Sequence, residues 1–327
     1  MKKNRFGRTE YQISQLTFGG GWVGGILINS NEKIMFDALN LANKNGINWI
    51  DTAEAYSNGV SEKNIGKLLP QMKENKFYIS TKAKLDLETK ESIFSQLDRK
   101  IDYSLQRLNK DYVELYQLHN KILSKTDKES FSPKEILKKG GVLESLEKLK
   151  SEGRIKYIGI TALGDIDAIN TVILSNRFDT AQVYYNLLNP SSSFSHKKEW
   201  NDHDFTNLIN NCKSRDMGIM NIRIFAAGYL ATNFRHGREI PITYGINENE
   251  LNRRVHKIQS LLNDLEGTNS QKALRYGLSN KNLSTIIIGL ETISHLEEAL
   301  KANQMGPLDT DTLDKILNLQ RKNFNQI

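Results

Sequence analysis

A single cysteine, Cys212, among 327 residues excludes an intrachain disulfide and is compatible with a reducing cytosol. No apolar run approaches the roughly 18 residues needed to span a bilayer, so no membrane-crossing helix is expected. The start, MKKNRFGRTE, is basic but lacks the apolar core of a secretory signal, and the expected location is the cytoplasm. The five prolines do not gather with glycine and serine into a linker, and no low-complexity tract interrupts the chain. One domain over residues 1–327 is therefore expected, a length that α/β barrels reach without disulfide staples. Acid is in short supply, leaving a formal charge of +7. The lysines scatter along helix-like stretches such as KEILKKGGVLESLEKLK, where solvated faces are the ordinary use. Without an arginine-rich stripe interleaved with aromatics, a nucleic-acid partner is not expected. The positive balance does suit attraction of an anionic cofactor such as a dinucleotide.

What the chain has is a rhythm. Short apolar, β-branched or aromatic runs recur at intervals of roughly 30–40 residues. In order they are QLTFGG, INWID, FYIST, YVELYQLH, IKYIGIT, TAQVYYN, GIMNIRIF and STIIIG. They are apolar nearly throughout, as strands covered on both faces must be. Helix-like stretches separate them, including EKIMFDALNLANKNG, which closes on Gly46 where a left-handed cap would sit. A closed (β/α)8 TIM barrel is the expected fold, with a doubly wound open sheet as the alternative. The opening RFGRTEYQIS reads as a β-hairpin before the first strand. Long segments Asn120–Gly141, Pro190–Asp204 and Phe225–Glu250 would emerge at the carboxyl ends of strands, the catalytic face of a barrel.

Three titratable residues sit at three consecutive strand exits: Asp51 ends INWID, Lys82 ends FYISTK and His119 ends YVELYQLH. Tyr56 follows in the loop after Asp51. Each taken singly is open to a bland reading, an incidental surface pair or a loop histidine. A barrel mouth would bring all four together. The stretch GINWIDTAEAYSNGVSE, followed in register by STK, LYQLHN, GRIKYIGIT, AQVYYNLLNP and STIIIGLETISHLEEAL, resembles the aldo-keto reductase family over nearly the whole chain. The resemblance implies a barrel, a hydride transfer between nicotinamide and a carbonyl or alcohol carbon, and a catalytic tetrad of Asp51, Tyr56, Lys82 and His119. The chemistry explains those types. A hydride arriving at a carbonyl makes an alkoxide, which needs a proton donor and local positive charge. A phenol ordinarily titrates near 10, and a neighbouring lysine cation favours its ionised form. Asp51 would hold the lysine, and His119 would orient the substrate oxygen.

The resemblance also implies cofactor contacts. Gln182 would bond the nicotinamide carboxamide with a Ser-Asn pair that here is Thr161-Ala162, keeping the hydroxyl and losing the amide. After the seventh strand the family's stacking tyrosine is replaced by Ile222-Arg223, and Arg223 would reach the diphosphate or form a structural ion pair. Gly21 and Trp22 at the first strand exit, Asp51, and Phe225 and Gly228 beyond the seventh strand complete that wall, with Trp22 also facing the substrate. Gly289 would let a phosphate approach the backbone. Glu291 and Thr292 stand where a 2′-phosphate commonly meets Lys or Arg, and His295 and Glu298 align with adenine contacts. The family's usual NADP(H) and the NAD(H) toward which Glu291 leans are both open. The stretches AQVYYNLLNPS, NIRIFAAGYL and MGPLD look most like a subgroup acting on galactose- or fucose-like aldoses, so the expected partner is a small carbonyl or sugar. A non-catalytic nicotinamide-nucleotide-binding subunit of the same fold, or a barrel with unrelated chemistry, are the competing readings. His196 and His203 flank Asp202 and Asp204 in no familiar zinc spacing, and no metal site is expected. No P-loop or nucleophile elbow is present. Cys212, in NLINNCKSRD, reads as structural.

Overall fold

Runs of β-branched residues alternate with amphipathic helices along the whole chain, and each run becomes a strand. A computed structural model describes residues 1–194, 200–232, 237 and 246–325. Strands β1 (Lys3–Arg5) and β2 (Gln12–Ser14) form the antiparallel hairpin read from the sequence. Four barrel strands follow: β3 (Leu16–Gly19), β4 (Trp49–Asp51), β5 (Tyr78–Ala83) and β6 (Val113–Leu118). A small parallel pair, β7 (Lys121–Ile122) and β8 (Ser130–Phe131), interrupts them. The barrel then resumes with β9 (Ile155–Ala162), β10 (Thr180–Tyr184), β11 (Gly218–Ile222) and β12 (Thr285–Gly289). These eight pair in parallel in chain order, and β12 returns to β3 with Ile286 opposite Leu16, closing the barrel. An open doubly wound sheet is thereby excluded.

The helices, in order, are α1 (Ile26–Asn29), α2 (Glu32–Lys44), α3 (Val60–Leu68), α4 (Ile93–Leu108), α5 (Pro133–Leu137) and α6 (Val142–Ser151). They continue with α7 (Ile166–Leu174), α8 (Leu208–Ser214), α9 (Glu248–Leu261), α10 (Asn269–Ser279), α11 (Ile293–Met305) and α12 (Thr310–Arg321). Helix α4 shows how the sequence specifies them. Ser92 caps it by accepting from Ser95 N at 3.1 Å, and Asn109 ends it in the left-handed region at φ +53°. Leu97, Ile101, Leu105 and Leu108, spaced three and four apart, form the buried stripe. Each such burial stabilises by about 1.5–3 kcal/mol. Helix α2 is capped by Asn31, and Gly46 follows its end at φ +86°, where the sequence places the left-handed residue.

The hairpin closes the amino-terminal end of the barrel. Phe6 and Ile13 pack with Trp49, Leu115 and Met220, while Tyr11, Tyr78 and Tyr157 surround them. Phe6 meets Trp49 edge-on at 5.1 Å between ring centroids, an arrangement worth about 0.5–1.5 kcal/mol beyond burial. Gly7 is obligatory there, since at φ +56° a Cβ would fall 2.1 Å from the Gly218 nitrogen.

The long segments lie at the opposite end. Asn120–Gly141 holds β7, β8 and α5. Parts of Pro190–Asp204 and Phe225–Glu250, and His196 with them, lie outside the described residues. Arg254 of α9 ties their flanks together. It is fully buried between the rings of Trp200 and Phe324, and it bonds Glu250 Oε1 at 3.0 Å, Asn323 Oδ1 at 3.0 Å and Asp202 Oδ2 at 3.4 Å. A buried guanidinium is tolerated only when its donors are used in this way. Among the described residues, no helix is long and apolar enough to cross a membrane.

Candidate active site

Strands β4, β5 and β6 lie side by side, with Asp51 opposite Ser80 and Lys82 opposite Gln117. Because alternate residues of a strand face the same side, Ser80 and Lys82 both point inward. Their exits bring the four expected residues into one cluster. Lys82 Nζ donates to Asp51 Oδ2 at 2.7 Å, to the Thr52 carbonyl at 2.8 Å and to Tyr56 Oη at 3.2 Å. Its ammonium also lies 4.8 Å from the Tyr56 ring centroid. The Tyr56 and His119 rings stand 5.8 Å apart, nearly perpendicular.

Electrostatics explain why the pair is stable where it sits. Lys82 and Asp51 are 0 % and 3 % exposed, so neither charge is hydrated, and each needs the other. Burial opposes the lysine's charge, but the Asp51 carboxylate and the Tyr56 oxygen outweigh it and hold the ammonium above its usual value. The free oxygen of Asp51 is saturated from below. Oδ1 accepts from Ser80 Oγ at 2.7 Å, Gln182 Nε2 at 2.8 Å and Gln117 Nε2 at 3.4 Å. His119 behaves in the opposite way. Burial first, then Lys82 and Lys84, push its pKa down to about 3, so the ring is neutral at physiological pH. Its buried Nδ1 has no hydrogen-bond partner.

These side chains open into a cavity of about 670 Å³, within the range of small-molecule sites. All of the expected cofactor contacts except Thr292 line it. Thr292 instead caps α11, its hydroxyl accepting from His295 N at 3.2 Å. Gly289 and Gly228 face open space, where a Cβ would meet nothing within 4 Å. Thr161 presents a buried hydroxyl without a partner. Glu298 accepts from Ser270 Oγ at 2.6 Å. Arg223 lines the wall with φ +61°, next to Ala226 and Ala227 at φ +46° and +58°. Side chains other than glycine enter that region at a cost of about 1–2 kcal/mol, and such strain gathers at functional sites. Burial pushes the Arg223 guanidinium below its usual value, with Tyr184 and Tyr56 opposing the shift. An orphaned hydroxyl, an orphaned ring nitrogen, two bare glycines and a buried arginine fit a polar, phosphate-bearing ligand at this wall.

Several wall residues were not expected from the sequence: Val23, Leu163, Asn120 and Ser270, together with Lys84, Lys121 and Glu129. Ser80 and Gln117, beneath Asp51, were missed as well. The signal for these last two was the strand period, since each lies two positions before an exit residue on the same inward face. Of the metal alternative, His203 Nε2 bonds the Gly164 carbonyl at 2.8 Å, Asp202 faces Arg254, and Asp204 accepts from Thr206. Cys212 is buried in α8, where burial pushes its thiol up to about 12.

A closed parallel barrel with a buried Asp–Lys pair at its carboxyl mouth defines a class, and the comparisons agree with it. Residues 15–321 match the aldo/keto reductase family, and the chain belongs to that family of oxidoreductases, which works with nicotinamide cofactors. It is 27% identical over 316 residues to the L-galactose dehydrogenase of Arabidopsis thaliana, covering 95% of this chain and 91% of that protein. It is 29% identical over 209 residues to the NADH-specific methylglyoxal reductase of Escherichia coli, covering 58% and 60% of the two chains. It is 24% identical to a D-threo-aldose 1-dehydrogenase of Pseudomonas, covering 85% of each. An aldo-keto reductase from Bacillus halodurans, solved in its holo form, superposes with a TM-score of 0.74 at 21% identity, covering 98% of this chain and 96% of that one. That likeness carries the fold.

Proposed function

We propose that residues 1–327 act as one catalytic unit that interconverts an aldehyde or aldose and its alcohol or lactone-level partner, with Tyr56 as general acid and base. When bound, the nicotinamide supplies or accepts the hydride. Gly289, Gly228, Arg223, Thr161 and Gln182 are the residues that would hold it. Tyr56 Oη moves the proton to or from the substrate oxygen. Lys82, 3.2 Å away and charged because Asp51 holds it at 2.7 Å, makes that oxygen a better proton carrier in both directions. This contact is the observation that carries the reading. His119 is neutral, so it orients the substrate oxygen by hydrogen bonding and leaves the proton to Tyr56. The saturated Oδ1 of Asp51 keeps the pair in place through the cycle.

The test is a panel of aldehydes and aldoses assayed with NADH, NADPH, NAD and NADP, run on the natural chain and on Tyr56→Phe. General acid catalysis is worth about 10²–10⁴-fold, so kcat of the variant should fall by that order while cofactor binding, read by fluorescence quenching, holds. A Tyr56→Phe enzyme with near-normal kcat on an aldehyde for which chemistry limits the rate would sink the reading.

A further inference from the structure

The cavity's two sides carry different charges. In the barrel order the exits of β5 and β6 lie four strands round from those of β11 and β12, on opposite sides of the mouth. The β11–β12 side holds Arg223, Gly228 and Gly289, assigned above to the dinucleotide. The β5–β6 side holds Lys84, two residues beyond Lys82, and Lys121, two beyond His119, with Asn120 between the latter pair and Glu129 nearby. Two ammonium groups against one carboxylate leave that side net positive. Neither lysine is placed to serve phosphates held across the mouth.

The one carboxylate is weakly committed. Glu129 pairs with Lys84 at 3.3 Å, but the two side chains are 65% and 47% exposed, and an ion pair so open to water is worth at most about 1 kcal/mol. It gives way to an anion brought into the cavity. Glu54, the other acid near Lys84, is already engaged by Lys100 at 2.7 Å and by the Lys84 backbone N–H at 3.0 Å. The frame beneath is rigid. Buried Asn120 accepts from Leu85 N at 2.7 Å and donates to Leu85 O at 2.8 Å and Glu129 O at 3.0 Å. This clasp fastens the β5 exit to the β7–β8 loop. The charge of Lys84 is also felt at the His119 ring, so the ammonium lies on the side of the reacting centre.

We infer that this side of the cavity selects carbonyl substrates bearing an anion, a carboxylate or a phosphate, at the end remote from the reacting carbon, received by Lys84 and Lys121. The inference rests on the oxidoreductase reading above. Its test uses matched pairs on the full chain at saturating cofactor: galactose against galacturonate, and glyceraldehyde against its 3-phosphate. The anionic member of at least one pair should have kcat/KM at least tenfold higher, mostly through KM, and the advantage should shrink as salt rises. A preference in one pair only identifies the anion as carboxylate or phosphate. Lys84→Ala with Lys121→Ala should cut the anionic-to-neutral ratio at least tenfold, and Glu129→Gln should raise it. Equal or better use of the neutral members, with a ratio unmoved by the double variant, overturns the inference and leaves the oxidoreductase reading intact. No turnover of any member with any of the four cofactors overturns both.

Discussion

The two ends of the barrel are built on the same eight strands from opposite materials. At the amino-terminal end, Phe6, Ile13, Trp49, Leu115 and Met220 fill the bore with apolar surface. At the carboxyl end, Asp51, Lys82, Gln117 and Gln182 put charge and amide groups into an equally buried space. The three-residue strand β4 spans both worlds, Trp49 in the plug and Asp51 in the site. A hydrogen-bond chain joins them: Trp49 Nε1 donates to Ser80 Oγ at 3.0 Å, and Ser80 donates to Asp51 at 2.7 Å. Apolar burial stabilises wherever it occurs, whereas buried polar groups break even only when every partner is in place. Stability is thus concentrated at one end and chemistry at the other, with a single serine between them.

Trp49→Ala offers the sharpest way to break that contrast. Removing a fully buried tryptophan should cost about 3–5 kcal/mol, read as a lower denaturant midpoint at unchanged slope. Enzyme that remains folded should keep kcat within a few-fold, because none of Asp51, Tyr56, Lys82 and His119 touches the lost ring. Tyr56→Phe should do the converse, stopping turnover while hardly moving the midpoint. If Trp49→Ala loses activity in step with Tyr56→Phe while still folded, the plug and the site are one unit, coupled through Ser80.

The same contrast explains what the sequence reveals. The eight strands and the plug hairpin were legible because apolar periodicity reports burial. The exits Asp51, Lys82 and His119 were legible because titratable residues ending apolar runs stand out. Ser80, Gln117 and Asn120 were not, since an isolated serine or amide inside a strand looks like any polar residue until neighbours are known. Thr292 resisted for another reason: its hydroxyl serves the helix cap, a local competition that position in a motif does not display. The charge of the substrate side was hidden because Lys84, Lys121 and Glu129 come from separate segments that only the β5–β6 pairing and the β7–β8 loop bring together.

A smaller effect follows from His119, the one polar group of the site held neutral. Its folded pKa of about 3 lies below the ordinary 6.5, so between those values the unfolded chain binds one more proton than the folded chain. Stability should therefore be full above about pH 6.5 and decline as pH falls toward 3, by up to about 1.4 kcal/mol per pH unit from this group. His119→Gln should flatten the decline by one proton, measured as the pH dependence of the unfolding free energy. An unchanged slope would mean that the histidine charges within the fold.

The subtlest expected effect is at the cofactor wall, where the site's own charges compete. Glu291 lines the cavity just beyond Gly289, and its backbone N–H donates to His295 Nδ1 at 3.4 Å. A carboxylate there repels a 2′-phosphate without touching a 2′-hydroxyl, so it shifts discrimination between NADP(H) and NAD(H) while leaving the chemistry alone. Glu291→Arg replaces that repulsion with a fork suited to paired phosphate oxygens. The residue is only partly buried, so water and salt damp the change, and about a tenfold rise in the ratio of kcat/KM for NADPH over NADH is the expected scale, equivalent to about 1.4 kcal/mol. The rise should shrink at high salt. Glu291→Gln should give a smaller gain of the same sign, because it removes the repulsion and adds no donor fork. If Arg and Gln move the ratio equally, repulsion alone sets the preference. If neither moves it, the carboxylate faces away from the ribose, and cofactor choice is set by the other residues of this wall.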